Sequence, residues 1–147
     1  RLSSRTGTPL TVVFVDVDNF KEINDVHGHE AGDHCLETVG GNLLKALRRS
    51  DILVRWGGEE FALLLPNTEQ QGVEVLLERI RSLGLGHRPD GKPVTASVGL
   101  AERTVDEMED WPHLVQMADA RMYLAKQSGR NRIIGPEEAD KGQFLPV

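Results

Sequence analysis

The chain has 147 residues, with 17 Lys and Arg against 23 Asp and Glu and a formal net charge of -6; the length suits one domain with its own core. That acidic balance argues against sequence-independent binding to nucleic acid, which draws its affinity from clustered cations. No apolar run approaches bilayer length, no charged n-region with an apolar h-region opens the sequence, and the single cysteine, Cys35, cannot form an internal disulfide, so the expected compartment is a reducing cytoplasm.

In chain order, the β-branched run 10–17 (LTVVFVDV) predicts a buried strand that breaks into acid at Asp16 and Asp18. Leu36, Val39, Leu43 and Leu47 then recur at helical spacing between Ala31 and Arg49. Gly40 and Gly41 each cost such a helix up to about 1 kcal/mol relative to Ala, which close packing would have to offset. Ile52-Leu53-Val54 and Phe61 to Leu65 flank Trp56-Gly57-Gly58-Glu59-Glu60, a hairpin in which Gly-Gly is expected to supply positive φ values. Val73, Leu76, Leu77, Ile80 and Leu83 mark a second amphipathic helix, stopped at Gly84. Arg88 to Pro93 is turn chemistry before a central strand at Val94 to Leu100. Pro112 opens a last helix that runs to Gln127, Gly129 stops it, and Ile133-Ile134 is expected as an edge strand. The order predicts an α+β domain over 1–136, with 137–147 as a polar tail.

Asp16 and Asp18 lie two apart, so a continuing strand would point both to one face, where one could bind a metal beside a backbone carbonyl. The plainer alternative is a pair of solvated acids capping the next helix. Lys21 can meet a phosphate near a helix N-terminus, and Asn24 and Asp33 can read a guanine edge, although capping and surface polarity would explain them as well. Gly57-Gly58-Glu59-Glu60 is either an ordinary turn with exposed acids or, beside the first strand, a place where Glu59 and Asp16 share divalent cations and a nucleotide approaches bare backbone. His27, His29 and Asp33 find no further Cys or His at zinc spacing and read as packing or capping residues. Lys126 and Arg130, four apart, are solvated charges or a triphosphate clamp.

Taken together and in this order, FVDVDNFKEINDVHGHEAGD, RWGGEEF, VTASVGLA and ADARMYLAKQSGRN resemble the GGDEF family of diguanylate cyclases in its GGEEF form, over about residues 10–134. The resemblance implies a central, mostly antiparallel five-stranded sheet surrounded by helices, the ferredoxin-like core of nucleotidyl cyclases and polymerase palms. It implies condensation of two GTP into cyclic di-GMP with release of pyrophosphate, two Mg2+ per active site with Mn2+ as a substitute, and a homodimer. Asp16, the Val17 carbonyl, Glu59 and Glu60 would hold metal, with Glu59 also orienting or deprotonating the attacking hydroxyl. Phe20, Lys21, Asn24, Asp33, Gly57, Gly58, Lys126 and Arg130 would contact substrate. Arg48 and Asp51 supply an RxxD pattern at the family's spacing before Gly57, and with Arg79 they would form an inhibitory site for the product. The alternative is a non-catalytic cyclic di-GMP receptor using the same RxxD site; a purely structural module would leave the placed charges unexplained. Trp56 departs from the usual Tyr or Phe, and the family's leucine-threonine-glycine turn is not recognisable in residues 1–9.

Overall fold

The structure, a computed structural model, describes residues 8–108 and 110–147. The leucine-threonine-glycine turn sought in residues 1–9 falls mostly outside them.

Strand β1 (Leu10–Val17) is buried along all but its first residue. It lies in the middle of a six-stranded sheet, hydrogen-bonded antiparallel to β3 (Glu60–Pro66) and β4 (Ala96–Glu102). The order is β2-β3-β1-β4-β5-β6, with β2 Ile52–Arg55, β5 Arg132–Ile134 and β6 Asp140–Gln143. A strand covered on both faces needs apolar residues at every position, which is why LTVVFVDV reads as a continuous run and does not alternate. Val13, Val15 and Val17 enter the larger core under α1 (Phe20–His27), α2 (His29–Ala46) and α3 (Gln70–Leu83). Val12 and Phe14 face α4 (Trp111–Gln127), packing with Leu114, Ala118 and Met122.

Two glycines are required by close approach. A Cβ at Gly99 on β4 would stand 2.0 Å from the Met122 backbone nitrogen and 2.3 Å from the Ala118 carbonyl oxygen, so α4 lies directly on β4. A Cβ at Gly40 would reach 3.3 Å from the Phe61 ring, the close packing that offsets a glycine inside α2.

The fold is α+β, as expected, with four α-helices among the described residues. The sheet, however, is mixed and has six strands, not five. β5 is no edge strand: it runs parallel to β4 and antiparallel to β6. β6 falls inside the segment read as a tail, and Phe144 and Leu145 beyond it are buried in the larger core. Its sequence, DKGQ, has no apolar residue to announce it. β4 begins two residues later than expected because Val94 donates its N–H to Gly86 O in a separate loop pairing. Among the described residues no helix is long and apolar enough to cross a membrane.

Candidate active site

The hairpin between β2 and β3 closes through a four-residue loop, Trp56 to Glu59, in which neither Gly57 nor Gly58 takes a positive φ. The expected two-residue turn chemistry is therefore not used. The loop is held by Trp56 N–H donating to Glu60 O (2.9 Å) and the Arg55 guanidinium donating to Gly58 O (2.6 Å). A Cβ on Gly58 would meet nothing, so its bareness leaves open space above the backbone.

Register brings this loop to the end of β1. Asp16 sits opposite Glu60 on β3 and Ser97 on β4, and Val17 N–H donates to Glu59 O at 3.1 Å. Asp16, Val17, Glu59 and Glu60 thus meet at one end of the middle strands. The Asp16 side chain is 2% exposed, and Lys126, in the last turn of α4, places Nζ 3.3 Å from its Oδ2. Burial pushes the Asp16 carboxyl up to about 7; the Lys126 ammonium opposes that shift, and Glu59 and Glu60 add to it by repulsion.

Carboxylates crowded around a buried acid form a hard-oxygen donor set of the kind that suits Mg2+ or Mn2+, whose charge would relieve the repulsion. Among the described residues no three Asp, Glu, His or Cys side chains already converge tightly enough to hold an ion. An ion here would take the Asp16, Glu59 and Glu60 carboxylates and the Val17 carbonyl by drawing the half-buried glutamates inward.

Asp18 does something else. It is neither solvated nor a helix cap: the N-cap of α1 is Asn19, and no side chain caps the helix. Its carboxylate accepts from Thr95 Oγ1 (2.7 Å), Ser97 Oγ (2.6 Å) and the Asn131 backbone N–H (2.9 Å). It ties β1, β4 and the loop after α4 together. Sequence spacing pairs it with Asp16; the long-range donors that separate the two roles leave no local signal.

The remaining candidates divide. Phe20 has its ring buried in the larger core. Lys21 is 88% exposed and pairs with Asp25 at 2.8 Å. Asn24 Oδ1 is buried without a hydrogen-bond partner, and a Cβ at Gly32 would stand 1.9 Å from it, so the glycine admits Asn24 between α1 and α2. Asp33, next in the chain after Gly32, is exposed. Arg130 is exposed at φ 64, and its guanidinium has no partner among the described residues.

Arg48, Asp51 and Arg79 line one hollow of about 180 Å3, together with Thr68, Leu76 and other side chains. Arg48 donates to both Asp51 oxygens, at 2.8 and 3.1 Å, and further to Pro66 O and Thr68 Oγ1. The Asp51 side chain is only 3% exposed, whereas Arg48 is 46% exposed. Arg79 donates to Ala46 O at the end of α2. Thr68, the hydroxyl that completes this ring, was not singled out by sequence; its only local trace is the strand-stopping Pro66-Asn67-Thr68.

Residues 1–132 match the family described as diguanylate cyclase, GGDEF domain. Diguanylate cyclase DosC of Escherichia coli (strain K12) is 37% identical over 134 residues, covering 89% of this chain and 29% of DosC. The GGDEF domain of DgcB from Caulobacter crescentus, solved in complex with c-di-GMP, superposes with a TM-score of 0.78 at 31% identity, over 92% of this chain and 82% of that one. The active GGEEF domain of a diguanylate cyclase from Vibrio cholerae gives 0.80 at 29% identity, over 91% and 86%. The chain belongs to the GGDEF family of diguanylate cyclase domains. It spans less than a third of the length of curated relatives such as DosC.

Proposed function

We propose that this domain condenses two GTP into cyclic di-GMP and pyrophosphate, and that its product inhibits it through Arg48 and Asp51. The observation that carries the reading is the buried Asp16 carboxylate, flanked by Glu59 and Glu60 and held by Lys126 at the open end of the sheet.

In the reaction the 3′-hydroxyl of one GTP attacks the α-phosphorus of another and pyrophosphate leaves in line. Two divalent ions, held by Asp16, Val17 O, Glu59 and Glu60, would supply charge neutralisation on the phosphates and acidify the hydroxyl. Glu59 orients that hydroxyl and takes its proton. Lys126 and Arg130 grip the triphosphate, joined by Lys21 once it leaves Asp25. Phe20 contributes through its backbone, because its ring is in the core, and Gly57 and Gly58 let the nucleotide lie against the hairpin. Asn24, with an unsatisfied buried acceptor, and Asp33 read guanine. Each domain holds one GTP, so two copies must face each other: the working form is a homodimer, in the cytoplasm where GTP is supplied. Product at the second site pairs guanine O6 and N7 with Arg48 and its N1 and N2 with Asp51, with Arg79 at the rim.

The test is direct. The purified domain, stripped of nucleotide, is given GTP with Mg2+ and its products are separated by chromatography beside a Glu59→Ala control. Cyclic di-GMP from the unaltered chain alone supports the cyclase. If neither makes product even when a fused coiled coil enforces dimerisation, while cyclic di-GMP still binds tightly, the domain is a receptor working through Arg48 and Asp51.

A further inference from the structure

The loop after α4 holds two consecutive residues, Arg130 (φ 64) and Asn131 (φ 44), in the left-handed region, where a Cβ is disfavoured. Such a pair persists only if the surroundings over-determine it, and they do. Asn131 N–H donates to Asp18 Oδ2 (2.9 Å), its Nδ2 to Leu145 O (2.7 Å), and its Oδ1 accepts from Leu145 N–H (2.9 Å). Phe144 N–H donates to the Asn131 carbonyl (3.0 Å), and on the other flank Arg130 N–H donates to Ala125 O (3.0 Å). Asn131 is thus fastened at its backbone to Asp18, just past β1, and at backbone and side chain to the chain after β6. The Arg130 backbone is fixed while its guanidinium stays exposed and unpartnered among the described residues.

A fixed backbone carrying a free cation is the arrangement expected of a ligand contact whose ordering cost has been met in advance. We infer that Asn131, anchored by Asp18 and by Phe144-Leu145, is a positioning residue that holds Arg130 for the polyphosphate of the nucleotide. The segment after β6 is by this inference part of the substrate site's support. The inference rests on the cyclase reading, in which Arg130 meets the triphosphate.

GTP and GMP separate this role from a merely structural one, because GMP shares the guanine and ribose contacts but lacks the β- and γ-phosphates. Dissociation constants for both are measured by calorimetry with Mg2+ on the whole chain, using the 3′-deoxy nucleotides, which lack the attacking hydroxyl and so do not turn over, for the parent, Arg130→Ala, Asn131→Ala and the double variant. Asn131→Ala is expected to weaken GTP about tenfold, in line with losing one charge-assisted contact, and to leave GMP within about twofold. The double variant should be no worse than Arg130→Ala alone, since both act through one guanidinium. Asn131→Gly, which accepts the left-handed φ without strain and removes only the side-chain clamp, should show the same GTP-selective loss and covers the case that Asn131→Ala does not fold.

Equal losses for GTP and GMP, no loss for either, or additive losses in the double variant would overturn the inference while leaving the cyclase reading intact. If Arg130→Ala itself leaves GTP binding unchanged, the assignment of Arg130 to the triphosphate fails and the inference falls with it.

Discussion

Lys126 Nζ stands 3.3 Å from Asp16 Oδ2, joining the last turn of α4 to the penultimate residue of β1. The helix that covers the smaller core therefore also sets the charge of the buried acid. Replacing Lys126 by Ala removes the cation that holds the Asp16 carboxyl down and, on the proposed reading, a phosphate contact.

Lys126→Ala is expected to weaken GTP by about 10- to 100-fold, the range for losing a hydrogen bond to a charged group. Lys126→Arg should recover only part of that loss, since the guanidinium keeps the charge but changes the geometry. Calorimetric titration with Mg2+ and 3′-deoxy-GTP, which lacks the attacking hydroxyl, decides: unchanged affinity in Lys126→Ala would remove this residue from the substrate site.

The raised carboxyl of Asp16 gives a stability profile. Below pH 3.8 the group is protonated whether the chain is folded or unfolded. Between 3.8 and about 7 the folded state keeps a proton that the unfolded state has released, so stability falls as pH rises through that window and levels off above it. Asp16→Asn removes this penalty. It should be stabilising at pH 8, by up to roughly 4 kcal/mol from the linkage relation, and near neutral at pH 3.5. Mg2+ should raise the Tm of the parent at pH 8 and not that of Asp16→Asn. Denaturation at the two pH values, with and without Mg2+, reads all three; a variant less stable than the parent at pH 8 would contradict the account.

Gly99→Ala places a methyl where the α4 backbone already lies. Lifting the helix should cost about 1–3 kcal/mol, the usual range for overpacking a core. Because α4 carries Lys126, cyclase activity should fall further than the folded fraction does. Urea unfolding together with activity per folded molecule tests this, and a variant as stable as the parent would mean that the contact between α4 and β4 yields easily.

If product binds at Arg48 and Asp51 as proposed, its binding should be limited by the bond between them, since both Asp51 oxygens already accept from Arg48. Loosening Arg48 without removing it should help the ligand. Thr68→Val takes away one of its acceptors and is expected to lower the cyclic di-GMP concentration needed for inhibition by about threefold to tenfold, the worth of one hydrogen bond. Asp51→Ala should abolish inhibition. Weaker inhibition in Thr68→Val would show that the closed ring is itself the binding form.

Much of the fold could be read from local pattern alone: β1 from its continuous apolar run, α2 and α3 from apolar residues at helical spacing, and α4 from Pro112 and Gly129 at its ends. β6 could not, since DKGQ joins the sheet by backbone hydrogen bonds to β5 and buries no apolar side chain. The family motifs placed Asp16, Glu59, Glu60 and Lys126 in one neighbourhood, and register and Lys126 bring them there. They gave no warning that the Phe20 ring belongs to the core or that Asp18 has a different set of partners from Asp16. Those outcomes depend on Thr95, Ser97 and Asn131, far away in sequence, and a hydrogen bond between distant residues has no periodicity to read.

Within this domain, β1 precedes both of the strands it pairs with. Its neighbours β3 and β4 both follow later in the chain, with β2, α2 and α3 translated in between. At about 5–20 residues per second, a span such as LTVVFVDV stays without its sheet partners for several seconds, and it has the β propensity and low charge that favour pairing between chains. The strand that carries Asp16 is therefore a segment in need of chaperone cover during synthesis. A polar substitution at one of its core positions would be expected to reduce soluble yield before it reduced the activity of molecules that had folded.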